Sequence, residues 1–314
     1  LGEQQEKVRI MAAQLLEGDA LAEKFRQEVA KDVENLKRKG RPPSLVAVQV
    51  GDPPASRMYV RKQRQSCEEM GMSYTLKQIE ESAPQEDILG AIQGLNRDDS
   101  VTGIILQMPL PEGIDAKALQ RAIVPQKDVE GMHPGNMGLL VYGEPRVAPC
   151  TAMAALELFR SIGRPMKGLD VTVVGHSEIV GKPLCLLLLG SVLESATPTV
   201  CHIATQDLRS KTLAADVLFV AAGKPGLITG DMVKEGSIVI DIGINRVPVV
   251  DEQGQPLLND AGKPKKKTVG DVIFEEARQR AAYISPVPGG VGPLTVVMLL
   301  RNTVACAQWQ EERL

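Results

Sequence analysis

Gly175-His176-Ser177-Glu178-Ile179-Val180-Gly181 stands between the apolar run Val171 to Val174 and the helix-period stretch Ile179 to Leu189. A glycine-bearing turn from strand to helix lets backbone N–H groups and the helix N-terminus face a pyrophosphate. The two glycines are separated more widely than in G-x-G-x-x-G, so a plain turn explains this stretch as well as a cofactor loop does. The downstream sequence adds weight to the second reading. Thr199 to His202, Val217 to Ala221 and Ser237 to Ile242 read as further strands, and the last two run into Ala221-Ala222-Gly223-Lys224 and Asp241-Ile242-Gly243-Ile244-Asn245. Loops at the carboxyl ends of parallel strands form the ligand crevice of a doubly wound sheet. The second half therefore reads as a Rossmann-like dinucleotide domain, with Gly175, His176, Ser177, Ile179, Val180, Ala222, Gly223, Gly243, Ile244 and Asn245 around the crevice.

Upstream, Ser44 to Val50 and Gly103 to Gln107 are short apolar runs that alternate with helix-period stretches from Asp19 to Pro125, the pattern of α/β units on a mostly parallel sheet. A helix is predicted from Ser56 to Met70, with Gly71 as its stop, placing Tyr59 and Gln63 on one face. A final helix is predicted from Leu294 to about Gln308. Val247 to Lys267 is polar and turn-rich, and its basic run Lys263-Pro264-Lys265-Lys266-Lys267 reads as a solvated loop.

A chain of 314 residues, 43% of them hydrophobic, supports two domains. Its 36 basic and 39 acidic residues give no electrostatic footprint for nucleic acid or anionic lipid. Five scattered cysteines without a C-x-x-C pair fit reduced thiols and no metal site. The strongest apolar run, Leu184 to Leu189, is too short to cross a bilayer, and no signal-peptide core precedes Met11. The expectation is a cytoplasmic protein without membrane or nucleic-acid partners, in which Leu1 to Ile10 form a polar extension.

Ser56-Arg57-Met58-Tyr59-Val60, Gln107-Met108-Pro109-Leu110-Pro111, Asp128-Val129-Glu130-Gly131-Met132-His133-Pro134 and Pro286 to Pro293, together with the loops at Gly175 and Gly243, resemble the methylenetetrahydrofolate dehydrogenase/cyclohydrolase family from Met11 to Cys306. The resemblance implies a two-domain α/β fold. Its folate domain would span 11–148 and be completed by a returning helix over 294–310, with the NAD(P)-binding domain over 149–293. It implies oxidation of 5,10-methylenetetrahydrofolate to the methenyl compound, hydrolysis of that product in many members, and a homodimer. Tyr59, Lys62, Gln63, Leu106, Gln107, Met108, Glu130, Pro288, Gly289, Gly290, Val291 and Gly292 would then bind folate. Tyr59, Gln63, Gln107 and Glu130 fall at catalytic positions, and Ile203 and Thr295 join the cofactor set.

Two positions depart from the family. Gln63 replaces its lysine, and Glu130 replaces its aspartate. Hydride transfer chiefly needs orientation, whereas hydrolysis needs a proton moved, which an amide cannot do. A dehydrogenase with weak or absent cyclohydrolase activity is the expectation. The alternatives are a bifunctional enzyme in which Lys62 takes over, or a folate- or nucleotide-binding protein without catalysis. The family's 2′-phosphate contacts, an arginine and a serine, are here His176 and Ile203, which favours NAD over NADP.

Overall fold

The computed structural model describes residues 12–191, 193–251, 253, 255–258 and 262–312; the polar extension expected before Met11 lies outside the described residues. In chain order the elements are β1 (Gln14–Leu15), α1 (Asp19–Arg38), β2 (Ser44–Val50), α2 (Pro54–Glu69), β3 (Ser73–Ile79), α3 (Gln85–Arg97), β4 (Gly103–Leu106), α4 (Ala116–Ala122), α5 (Pro134–Val141) and α6 (Cys150–Arg160). Then come β5 (Asp170–Val174), α7 (Gly181–Leu188), β6 (Thr197–Cys201), α8 (Leu208–Ala214), β7 (Val217–Val220), β8 (Ile238–Asp241), β9 (Asn245–Pro248), β10 (Lys266–Val269), α9 (Phe274–Arg278), β11 (Tyr283–Ile284) and α10 (Gly292–Glu311).

Two parallel sheets organise these elements. The first has the order β3-β2-β4 and the second β1-β11-β8-β7-β5-β6, while β9 and β10 make an antiparallel hairpin. Six of the seven residues of β2 and all four of β4, β7 and β8 are buried, as parallel strands covered on both faces must be. One strand departs from the sequence partition. Gln14–Leu15, expected in the first domain, pairs with Tyr283–Ile284 at the edge of the second sheet. Two residues are too short to announce a strand by periodicity; Tyr283–Ile284 supplies the backbone partner.

Helix boundaries shift for local reasons. The helix predicted from Ser56 begins at Pro54, because Pro53 is extended and a proline at the first helical position has no N–H to leave unsatisfied. Ser56 is thereby inside α2, and its hydroxyl donates to Pro53 O (3.0 Å) and Gln49 Oε1 (3.3 Å) instead of capping. Similarly α7 starts at Gly181 and not Ile179, since Ser177 Oγ takes the Val180 N–H at 3.1 Å and holds the loop open for two more residues.

Helices α1 and α10 knit the halves together. Ala22 and Phe25 of α1 pack with Leu294, Val297 and Met298 of α10 on the second sheet, while Val29, Val33 and Leu36 pack with Leu299, Leu300 and Val304 on the first. Spacings of three and four residues put each group on one helical face. A buried amide reinforces the joint: Asn302 Nδ2 donates to Val129 O (2.8 Å) and Ala148 O (2.9 Å). Asn302→Leu would strand both carbonyls, and we expect it to cost about 2–4 kcal/mol, seen as a lower urea midpoint at unchanged slope. A loss below about 0.5 kcal/mol would contradict this role for the amide.

Candidate active site

The crevice between the sheets collects residues from both halves. Met108, Gln120, Glu130 and Met132 face Pro149, Cys150, Thr151, Ile179 and Thr295 around a cavity of about 110 Å³. Ile179 belongs to the glycine loop, so the expected cofactor loop and Glu130 open on one space. Lys117 on α4 reaches across to Glu178 at 2.9 Å, and Lys182 approaches the same carboxylate at 3.6 Å. Both cross-crevice partners are about half exposed, so solvent screening leaves this pair worth little in stability.

On the substrate side, α2 presents Tyr59 half exposed and Gln63 only 7% exposed, one turn apart. Gln63 is locked in place. Its Oε1 accepts from Gln107 Nε2 at 2.6 Å and from the Tyr74 hydroxyl at 3.3 Å. Burial, helped by nearby Cys67, pushes the Tyr74 phenol up to about 12, so it stays a donor across the working pH range. Gln63 Nε2 hydrogen-bonds nothing among the described residues and is the atom left for a ligand. Lys62 is exposed, on a different side of α2 from the buried Gln63. Gln107 is held from behind by its own N–H, which donates to Val48 O at 2.8 Å.

Glu130 has no hydrogen-bond partner among the described residues. The low-polarity surroundings, with Asp128 adding repulsion, push its carboxyl up to about 8. Asp128 itself is engaged, accepting from the His133 N–H (2.7 Å) and Asn136 Nδ2 (2.8 Å). Two predicted contacts turn out to be core residues. Leu106 and Val291 are buried among apolar neighbours, so their side chains face inward and only their backbone can meet a ligand. The Pro288 to Gly292 loop lies against the start of α1, where the Gly18 N–H donates to Gly289 O at 2.7 Å. Thr295 lines the cavity one helical turn above Val291.

The cofactor side separates into loops with free donors and loops without. Gly175 and Gly181 are required by the turn itself: a β-carbon on Gly175 would collide with Ala221 O, and one on Gly181 with Gly175 O. The backbone N–H groups of His176, Ser177, Glu178 and Ile179 have no partner among the described residues and sit just before α7, which fits an anionic diphosphate. Ala222 and Gly223 were expected around the same crevice. Their N–H groups are already taken by Asp271 Oδ2, at 2.7 and 2.8 Å, so these loops form the floor of the crevice and not an anion cradle. Gly243 is likewise committed, its N–H donating to Asp241 Oδ1 at 2.9 Å. Asn245 Nδ2 donates to Asp271 Oδ1 at 2.8 Å, while Ile244 is well exposed. Ile203 stands fully exposed past the end of β6, and the His176 and His202 rings lie 4.9 Å apart.

Tyr74 and Asp271 carry no signal in the sequence that marks them for the site. Tyr74 lies on β3, where an alternating exposed pattern gives no reason to look inward. Asp271 follows Gly270 just after β10, and the polar character of the preceding hairpin hides it. No group of three histidine, cysteine or acidic side chains among the described residues is placed to hold a metal ion. No described helix is long and apolar enough to cross a membrane.

Comparisons with known proteins agree over nearly the whole chain. The catalytic-domain model of the tetrahydrofolate dehydrogenase/cyclohydrolase family matches residues 16–130, and its NAD(P)-binding-domain model matches 149–311. Among curated relatives, the bifunctional protein FolD of Nautilia profundicola is 44% identical over 94% of this chain and 97% of its own. That of Moorella thermoacetica is 45% identical over 95% and 100%. The crystal structure of the Campylobacter jejuni bifunctional methylenetetrahydrofolate dehydrogenase/cyclohydrolase superposes with a TM-score of 0.85 at 42% identity, covering 95% of this chain and 100% of that one. The Trypanosoma brucei enzyme, solved with NADP and an inhibitor, also gives 0.85, at 37% identity over 96% and 99%.

Proposed function

The chain belongs to the tetrahydrofolate dehydrogenase/cyclohydrolase family, and we propose that it oxidises 5,10-methylenetetrahydrofolate with NAD in preference to NADP and hydrolyses the methenyl product weakly or not at all. The bacterial relatives compared above are named bifunctional, and the NAD(P)-binding domain and folate chemistry come with the family. The selective loss of the second activity is the part specific to this chain. One observation carries it: the position flanked by Gln107 and Tyr74 holds an amide, Gln63, whose carbonyl is already bound to both.

The dinucleotide, when bound, supplies the hydride acceptor. The free N–H groups from His176 to Ile179 hold its diphosphate, and Ile179 and Thr295 bound the space beside Glu130. Tyr59 offers an exposed aromatic face to a flat pterin, and Met108 lines the cavity that holds Glu130. Gln63 and Gln107, coupled at 2.6 Å, orient the reacting end without changing protonation state. Orientation of this kind serves hydride transfer, in which the folate nitrogen supplies the electron push. Hydrolysis differs, because water must lose a proton as it attacks. In the same reading, residues 16–148 with 294–310 form the folate half, 149–293 joined by the edge strand Gln14–Leu15 form the cofactor half, and the enzyme works as a homodimer. The deciding experiment follows cofactor reduction with NAD and NADP separately, then asks whether methenyl product decays faster than it does without enzyme. Fast enzymatic decay, or an NADP preference, would overturn the corresponding half of the proposal.

Glu130 leaves a signature in stability. Its carboxyl titrates near 8 in the folded chain against about 4.5 when exposed, so between those values the folded state binds more protons than the unfolded one. Stability from this group is therefore complete below about pH 4.5 and is lost as pH rises through 8. Glu130→Gln should flatten the stability curve across that window and raise the melting temperature at pH 8 relative to the parent. An unchanged pH dependence would mean that Glu130 titrates normally.

A further inference from the structure

Two carboxylates lie buried beneath the cofactor crevice, and the hydride-transfer chemistry makes no use of either. Asp271 is fully buried and accepts three hydrogen bonds: Oδ2 takes the N–H groups of Ala222 and Gly223, and Oδ1 takes Asn245 Nδ2. Those donors come from two different segments, the loop following β7 and, beyond β8 and its loop, the first residue of β9. Asp241 completes the brace, with Oδ1 accepting from Gly243 and Asp271 N–H (2.9 and 3.1 Å) and Oδ2 from Val272 N–H (2.9 Å). The approach is close enough to dictate glycine twice. A β-carbon on Gly243 would collide with the Asp271 carboxyl, and one on Gly270 with that of Asp241. Gly243 therefore makes room for a carboxylate, and not only for a ligand.

We propose that Asp271 is the positioning residue of the cofactor crevice, tying the β7 loop and the start of β9 into one rigid floor against which the dinucleotide is held. The proposal rests on the reading of the crevice as a dinucleotide site. An asparagine at 271 has the same shape but a single acceptor oxygen. If that oxygen keeps the Ala222 and Gly223 N–H groups, its NH₂ meets Asn245 only after the Asn245 amide turns over and gives up its bond to Gly270 O, so the tie across the floor is weakened. The floor should then lose its fixed spacing while the folate wall, built on α2 and β4, stays intact.

The test compares Asp271→Asn with Asp216→Asn in the full chain. Asp216 is a structural carboxylate at the opposite, amino end of the same sheet, accepting from Asp170 N–H at 3.1 Å and Lys234 Nζ at 2.8 Å. Thermal melting, NAD affinity by titration calorimetry, and separate KM values for cofactor and folate are measured for each. We expect both variants to melt earlier, but only Asp271→Asn to weaken NAD binding and raise its KM, by about tenfold or more, with folate KM nearly unchanged. If Asp271→Asn lowers stability as Asp216→Asn does and leaves NAD affinity within about twofold, the positioning role is overturned. An equal rise in both KM values overturns it too. Should Asp271→Asn not fold, Asn245→Ala decides, since it removes one of the three bonds: weakened NAD binding supports the brace, and unchanged binding refutes it. A parent that binds NAD but turns over no folate would sink the dehydrogenase reading and leave the brace measurable.

Discussion

Replacing Gln63 by lysine should raise enzymatic hydrolysis of methenyltetrahydrofolate about 10²–10⁴-fold, the range a well-placed acid/base group contributes. The surroundings already suit an amine. Gln107 can turn its amide so that the oxygen meets the ammonium, and the Tyr74 hydroxyl, able to accept from the new amine, lies 3.3 Å from the present carbonyl oxygen. A site only 7% exposed penalises the charged amine and lowers its proton affinity toward neutrality, where proton transfer in both directions is fastest. Dehydrogenase kcat should fall only a few-fold, because Gln107 keeps its backbone anchor on Val48. Paired measurement of both activities in parent and Gln63→Lys checks this. A variant that keeps dehydrogenase activity yet gains no hydrolysis would refute the role given to position 63, as would strong hydrolysis by the parent. The latter result has two candidates to explain it, Lys62 and Glu130. They are told apart by substituting each, Lys62→Met and Glu130→Gln, and Glu130 is the one with a carboxyl near 8 inside the cavity.

The parts of the fold that are legible in the sequence are those with strong local chemistry. The β2 run from Ser44 to Val50 needs no context, since seven residues of near-continuous apolar character between turn signals leave few options. The Gly175 loop is found by its position between strand and helix, although its glycines serve the turn's own packing, Gly175 against Ala221 and Gly181 against Gly175. What stays hidden depends on residues far apart in the chain. Nothing near Gln14–Leu15 points to Tyr283–Ile284, and nothing near Ala222 announces that its N–H is claimed by Asp271, 49 residues later. The same limit applies to the site. Tyr59, Gln63 and Gln107 can be named because a specific motif surrounds each, but that Gln63 and Gln107 touch, with Tyr74 above them, is a fact of packing between α2, β3 and β4.

Exchanging His176 for arginine and Ile203 for serine in one chain should raise kcat/KM with NADP about 10- to 150-fold, with NAD little changed. That range corresponds to about 1.5–3 kcal/mol for a charge-assisted hydrogen bond to phosphate, at tenfold per 1.4 kcal/mol. Position 203 is fully exposed past β6, and an isoleucine there offers a phosphate no hydrogen bond. Position 176 opens the loop with free N–H groups, so a guanidinium there reaches the adenosine end without displacing the diphosphate. His202 helps to hold it. Its Nδ1 accepts the Ala204 N–H at 3.2 Å, which fixes the ring, and at 4.9 Å from the His176 ring it presents a face on which a planar guanidinium can stack. The serine hydroxyl then adds a second donor beside the first. Steady-state kinetics with each nucleotide at saturating folate measure the change. His176→Arg alone should carry most of the gain, because the charge is the larger part of the missing interaction. A parent that already prefers NADP would show that other donors hold the 2′-phosphate, and a double variant without gain would place the adenosine ribose away from positions 176 and 203.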